Sequence, residues 1–189
     1  MDDDLSIWGL ARYVADVLQA EGIPQAIVLG HSMGGSVAVS LAMGCPGLVA
    51  ALILTESNLD PGGGTWSCRI AGMSEAEFVA HGYADLIAEQ QRDCPTWAHT
   101  LAISSPVALH REATSLIEGT SPTWRDGLYG MTCPRFYVFG DRNLPDVDAD
   151  ELPRHGVEVL AVINAGHNMV YDNPEGFADM MSRCLCSLP

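Results

Sequence analysis

The stretch Gly30-His31-Ser32-Met33-Gly34 constrains this chain more than any other. Before it runs Ala26-Ile27-Val28-Leu29, a short apolar segment that reads as a buried strand. After it, residues 36–43 (Ser-Val-Ala-Val-Ser-Leu-Ala-Met) read as a helix of small residues. A serine between a strand and a helix must occupy a tight turn, because the chain reverses within a few residues. Gly30 and Gly34 are expected to remove side chains that would clash there, and Gly35 extends the small-residue face. Ser32 is then held out at the end of its strand. The amide of Met33, at the helix start, faces the space where an oxyanion would form. A serine that only packs in a glycine-rich turn gives the same five letters; the strand before and the helix after favour the reactive reading.

The rest of the chain alternates in a way that fits this turn. Ile7, Leu10, Ala11, Val14, Val17 and Leu18 predict a helix over 7–20, with Asp2, Asp3 and Asp4 where negative charge suits its dipole and Gly22 and Pro24 ending it. Ala50 to Thr55 reads as a second buried strand, and residues 60–64 as a loop. Ser74-Glu-Ala-Glu77 is a capping box that opens a helix. Further helices are expected near 96–103, 107–117 and 122–129, with no strand between 60 and 133. Strands return at 135–139 and 157–163. Asn173-Pro174 starts a last helix to about 186. Buried strands alternating with helices imply an α/β fold with a mostly parallel sheet. The expected division is a core of residues 1–64 and 131–189, with 65–130 as a helical cap over the sheet's C-terminal edge, where such folds bind ligands.

A serine hydroxyl needs a base in reach. The chain has six histidines. His31 adjoins Ser32, but its side chain should point away, so it is expected to pack or line the substrate site. His81, His99 and His110 fall in the helical stretch and His155 in a polar loop. His167, in Asn-Ala-Gly-His-Asn-Met, follows the last strand and lands on the same sheet edge as Ser32. It is the expected base.

Composition excludes several classes. With 24 acidic and 9 basic residues, a formal charge of −15, the chain repels phosphate backbones and anionic lipids, which argues against nucleic-acid or membrane partners. The longest apolar run, Leu48 to Leu54, is far short of the ~20 residues that span a bilayer. The acidic start lacks the pattern of a secretory signal, and no Cys-x-x-Cys pair occurs among the six cysteines. The expectation is a cytoplasmic protein with reduced thiols, no metal and no cofactor.

Gly30-His-Ser-Met-Gly-Gly35 resembles the nucleophile elbow of the α/β-hydrolase superfamily, and Ala165-Gly-His167 resembles its catalytic-histidine loop. The resemblance covers essentially the whole chain but only the C-terminal part of the family core, the four strands from the elbow onward. It implies a serine hydrolase acting on a small ester, thioester or activated amide, since relatives with other chemistry carry aspartate at the elbow. It also implies an acid, which the family usually places three residues beyond a glycine after the penultimate strand. Here that position is Asn143, so the acid is expected at Glu56, directly after the second strand, or at Asp141, with Asp146 or no acid at all behind them. Glu56 is preferred, because some branches of the superfamily take their acid from that place. Trp66, Trp97 and Trp124 are expected to line an apolar wall, though cap core would explain the same aromatics. Relative to the family the chain starts late, without the loop that supplies a second oxyanion donor. The elbow strand becomes a sheet edge with no protecting charge or proline, and poor solubility, a homodimer, or pairing with a missing N-terminal segment is expected there. The alternative function is a non-catalytic hydrolase-like domain that binds a ligand or protein partner; an acyltransferase would share the same triad.

Overall fold

A computed structural model describes residues 4–188. Four strands, β1 (Ala26–His31), β2 (Val49–Thr55), β3 (Arg135–Gly140) and β4 (Glu158–Val162), form one parallel sheet in the order β1-β2-β3-β4. The helices are α1 (Ile7–Ala20), α2 (Met33–Gly44), α3 (Thr65–Ala71), α4 (Glu75–Glu77), α5 (Tyr83–Asp93), α6 (Pro95–Ala102), α7 (Pro106–Glu118), α8 (Trp124–Gly130), α9 (Val147–Glu151), α10 (Met169–Asp172) and α11 (Pro174–Cys186). A π-helical turn, Phe78–Gly82, joins α4 to α5.

Alternation along the strands explains the layers, since successive side chains leave on opposite faces. Leu52, Leu54, Tyr137 and Phe139 meet Ala38 and Val39 of α2 and Trp124 and Leu128 of α8. Ile53, Phe136, Val138, Leu160 and Val162 meet Met169 and the inner face of α11. On β1, Ile27 and Leu29 pair with Ala51 and Ile53, yet α11 packs on β4 at the opposite side of the sheet, and each remains 45% exposed. Among the described residues β1 has a neighbouring strand on one side only.

The expected helix over 7–20 is present, but its start is set by Ser6, whose side chain accepts from the Gly9 amide. Asp4 accepts from the Ser6 amide and pairs with Arg12, while Asp2 and Asp3 lie outside the described residues. The Ser74 capping box forms as expected. Among the described residues no strand falls between 60 and 133. Helices α3, α9 and α10, of seven residues or fewer, were not expected, because such short helices carry too little periodicity to read.

The stretch 65–130 does not behave as one unit. Ile70, Phe78, Leu86, Leu101 and Ala113 form a separate cluster. Leu116, Trp124 and Leu128 instead join the main core. Arg125 of α8 binds Asp60 in the loop after β2 at 2.6 Å and Asp148 of α9 at 2.7 Å, fastening α8 to the core. Among the described residues no helix is long and apolar enough to cross a membrane.

Candidate active site

The Ser32 turn is built from close backbone packing. Ser32 has φ 53° and ψ −124°, outside the regions ordinary residues favour, at a cost of about 1–3 kcal/mol. Its amide donates to the Thr55 carbonyl at 3.0 Å, and its carbonyl accepts from Gly35 at 3.0 Å. Although it stands at the N-cap of α2, its hydroxyl makes no capping bond. The glycine requirement falls differently from expectation. A Cβ on Gly30 would stand 2.5 Å from the Gly34 carbonyl oxygen, and one on Gly35 would collide with the Ser57 side chain. Gly34 itself borders open space, so nothing there demands a missing side chain. Met33 begins the twelve-residue α2, with its side chain against the main core, and a helix N-terminus favours negative charge.

His31 turns its Nδ1–H to the Thr55 carbonyl and lies 3.0 Å from the Thr55 hydroxyl. Its ring centroid is 4.8 Å from that of His167. Burial, and then the neighbouring His167, push its pKa below the usual histidine value, against smaller opposing effects of Thr55 and Glu56. At neutral pH it is an uncharged neighbour of the expected base.

That contact is made across the sheet. β1 and β4 are separated by three inter-strand steps, roughly 14 Å at ~4.8 Å each. The loop after β4 therefore returns over the end of β3. Gly140 permits the crossing: a Cβ there would stand 2.5 Å from the Ala165 carbonyl oxygen. Asn164, at φ 57°, makes the bend, in a region asparagine tolerates better than most residues.

Glu56 directly follows β2 and also has a positive φ, 47°. Its Oε1 accepts from the Gly140 amide at 2.7 Å, and its Oε2 stands 3.9 Å from His167 Nδ1. The carboxylate side chain is 12% exposed and the imidazole 50%. Burial raises the Glu56 pKa, but His167, the Gly140 amide and Asn143 together outweigh it, so the group sits below its ordinary value. An ionised Glu56 beside Nδ1 leaves Nε2 as the nitrogen free to take a proton.

Asp141 is placed otherwise. Its Oδ1 accepts from the Ala165 amide at 3.1 Å, gripping the histidine loop through its backbone. Asp146 caps α9 by accepting from Asp148. Trp66 and Trp97 are half-buried and lie 5.4 Å apart at the margin of the cap cluster. Trp124 corrects the expectation of an apolar wall: it is 1% exposed and its Nε1–H donates to Ser40 at 2.9 Å, so it fills the core beneath α2 and offers no surface to a ligand. Of the other histidines, His110 is bound to the Met73 carbonyl and His155 stacks on Tyr129.

A parallel sheet, a serine in a positive-φ turn between strand and helix, and a histidine–carboxylate pair at the same edge define the α/β-hydrolase class of enzymes. The model of the alpha/beta hydrolase family matches residues 2–180, and the chain belongs to that family. The chain is 28% identical over 174 residues to 2-succinyl-6-hydroxy-2,4-cyclohexadiene-1-carboxylate synthase of Salmonella arizonae, across 84% of this chain and 67% of the relative. The protein of that name from Salmonella paratyphi B is 29% identical over 177 residues, with the same two coverages. Among solved structures, a thermophilic esterase from Thermogutta terrifontis superimposes with a TM-score of 0.74 at 19% identity, over 97% of this chain and 73% of the esterase. An esterase from Exiguobacterium antarcticum gives 0.76 at 18% identity, over 97% and 75%. At those identities the structural likeness speaks for the fold.

Proposed function

We propose that the chain is a serine hydrolase that cleaves a small ester, thioester or activated amide through an acyl-enzyme. One observation carries this reading: Ser32 stands in a positive-φ turn with its hydroxyl free of capping, while His167 reaches the same turn with Nδ1 directed toward Glu56. Ser32 Oγ attacks the carbonyl carbon and its proton passes to His167 Nε2. Glu56 holds the ring and stabilises the imidazolium, as a carboxylate on Nδ1 does in serine hydrolases generally. The oxyanion is taken by the Met33 amide at the start of α2. His167 then protonates the leaving group, the C–O, C–S or C–N bond breaks, and the acyl group stays on Ser32. Water, deprotonated by the same nitrogen, attacks the acyl carbon; the bond to Oγ breaks, His167 returns the proton to Ser32, and the acid leaves. Trp66, Trp97 and His31 are the candidates for substrate contact.

Labelling with a fluorophosphonate probe, read by mass spectrometry with Ser32→Ala as control, tests the nucleophile. Modification at Ser32 that disappears in the control is the expected result. No modification in protein with a cooperative melt would replace this reading by a non-catalytic ligand-binding domain. The curated relatives carry the name of a synthase, so an acyl-enzyme must be looked for separately. A p-nitrophenyl acetate burst and an acetylated Ser32 peptide are expected; labelling without either would move the reaction away from acyl transfer.

Ile27 and Leu29 on the open side of β1 further support self-association at that edge. A concentration-independent monomer by light scattering would remove that part of the proposal.

A further inference from the structure

The segment Ile163-Asn-Ala-Gly-His167 is gripped by side chains and backbone from elsewhere. The Ala165 amide donates to Asp141 Oδ1 at 3.1 Å and its carbonyl accepts from the Arg142 amide at 3.0 Å. The Gly166 amide, next to His167, donates to Asp172 Oδ2 at 2.7 Å. The Ile163 carbonyl accepts from Asn173 Nδ2 at 2.9 Å. Two consecutive amides before the histidine thus end on two carboxylates from opposite sides, one after β3 and one at the end of α10. Arg142 links the halves, standing 3.7 Å from Asp172 while its amide holds Ala165. The loop needs such a grip, because it leaves β4, bends at Asn164 and crosses the end of β3 before His167 can reach the Ser32 turn.

We propose that Asp172, with Asp141 as its counterpart, is a positioning residue for His167: each accepts one of the two amides preceding the histidine, and together they hold the imidazole over the Ser32 turn. This rests on the reading of Ser32 and His167 as the reacting pair. What matters is the acceptor, not the charge, because a backbone amide is satisfied by any well-placed oxygen. An asparagine at 172 keeps such an oxygen and an alanine does not. Misplacement of a base by about 1 Å can cost ~10²-fold in rate.

The test compares wild type, Asp172→Ala and Asp172→Asn. Two measurements are made on each: the rate of fluorophosphonate modification of Ser32 at saturating probe, and amide hydrogen exchange of the peptide covering 163–167. Asp172→Ala is expected to slow modification by about tenfold to a hundredfold with unchanged probe affinity, and to speed exchange at 163–167. Asp172→Asn is expected to restore most of both. Asp141→Ala and Asp141→Asn repeat the pattern from the other side. Two results overturn the proposal: wild-type modification rate and exchange in Asp172→Ala, or equal losses in the alanine and asparagine variants. Wild type that is never modified overturns the serine-hydrolase reading instead, and exchange at 163–167 then decides the clamp by itself.

Discussion

Ser32 and His167 meet at one edge of the sheet but are held there by different means. The Ser32 turn is fastened by its own neighbours in sequence and by the single stretch at the end of β2, residues 55–57. Gly30 clears the Gly34 carbonyl, Gly35 donates to Ser32, and the strand and helix on either side fix the approach. Two outside residues complete it: Thr55 accepts from the Ser32 amide and the His31 ring, and the Ser57 hydroxyl, packed against Gly35, donates to the Gly30 carbonyl at 3.1 Å. The His167 loop is supported from two sides, by Asp172 and Asn173 just after it in sequence and by Asp141 and Arg142 after β3. Its bonds come from Asp141, Arg142, Asp172 and Asn173, and its path depends on Gly140 in another strand. A nucleophile can be presented by a strained turn that carries its own geometry. A base that must cross three strand positions needs the rest of the sheet to aim it.

The largest effects test whether the two regions act as one device. Ser32→Ala and His167→Ala should each lower ester hydrolysis by about 10⁶-fold, and the double variant should lose no more than either alone. Additive losses in kcat would mean that serine and histidine serve separate purposes. Next, Glu56→Gln should cost about 10⁴-fold, the scale seen when a carboxylate that orients a catalytic histidine becomes an amide. Asp141→Asn should cost much less. Equal losses would hand the acid role to Asp141.

The pH dependence follows from the same carboxylate. The Glu56 pKa in the folded chain lies below the ordinary 4.5, so its ionised form favours folding. That contribution is complete above pH 4.5 and is lost as pH falls through the folded value. Denaturant midpoints for wild type and Glu56→Gln, taken from pH 6 to pH 3, should converge below 4.5. Parallel curves would show that the buried carboxylate contributes nothing through its charge.

Smaller effects separate the two supports. Gly30→Ala and Gly140→Ala should each destabilise by about 1–3 kcal/mol in denaturant melts, through overpacking against backbone oxygens. Gly30→Ala should disturb Ser32 directly, whereas Gly140→Ala should leave Ser32 in place and lift the histidine loop. Hydrogen exchange at 163–167 that is unaltered in Gly140→Ala would break that distinction. The smallest effect is expected at Trp124→Phe, about 1 kcal/mol for the lost bond to Ser40, with KM unchanged. A rise in KM would return Trp124 to the substrate wall.

The fold was largely legible because its elements are. Buried runs such as Val49–Thr55 are too short and too apolar to be much else than parallel strands, and capping signals at Ser74 and Asn173 marked real helix starts. The boundary between cap and core was not legible. Trp124 and Leu128 have the same periodicity whether they face Phe78 or Ala38, and α8 packs against α2.

The sequence by itself determined the strand, glycines and helix of the Ser32 turn, since these lie within a few residues of one another, while its bonds to Thr55 and Ser57 came with β2 beside β1. It also narrowed the candidate base to His167 and the candidate acid to a handful of carboxylates. The tertiary structure alone decided that Glu56 faces His167, that Asp141 and Asp172 hold backbone amides, and that Trp124 is core. The Glu56 and Asp141 contacts depend on strand order and register, which bring residues 56, 140, 141 and 165 together at one sheet edge. Hydrophobic pattern records which face of an element is buried. It does not record which element lies across from it.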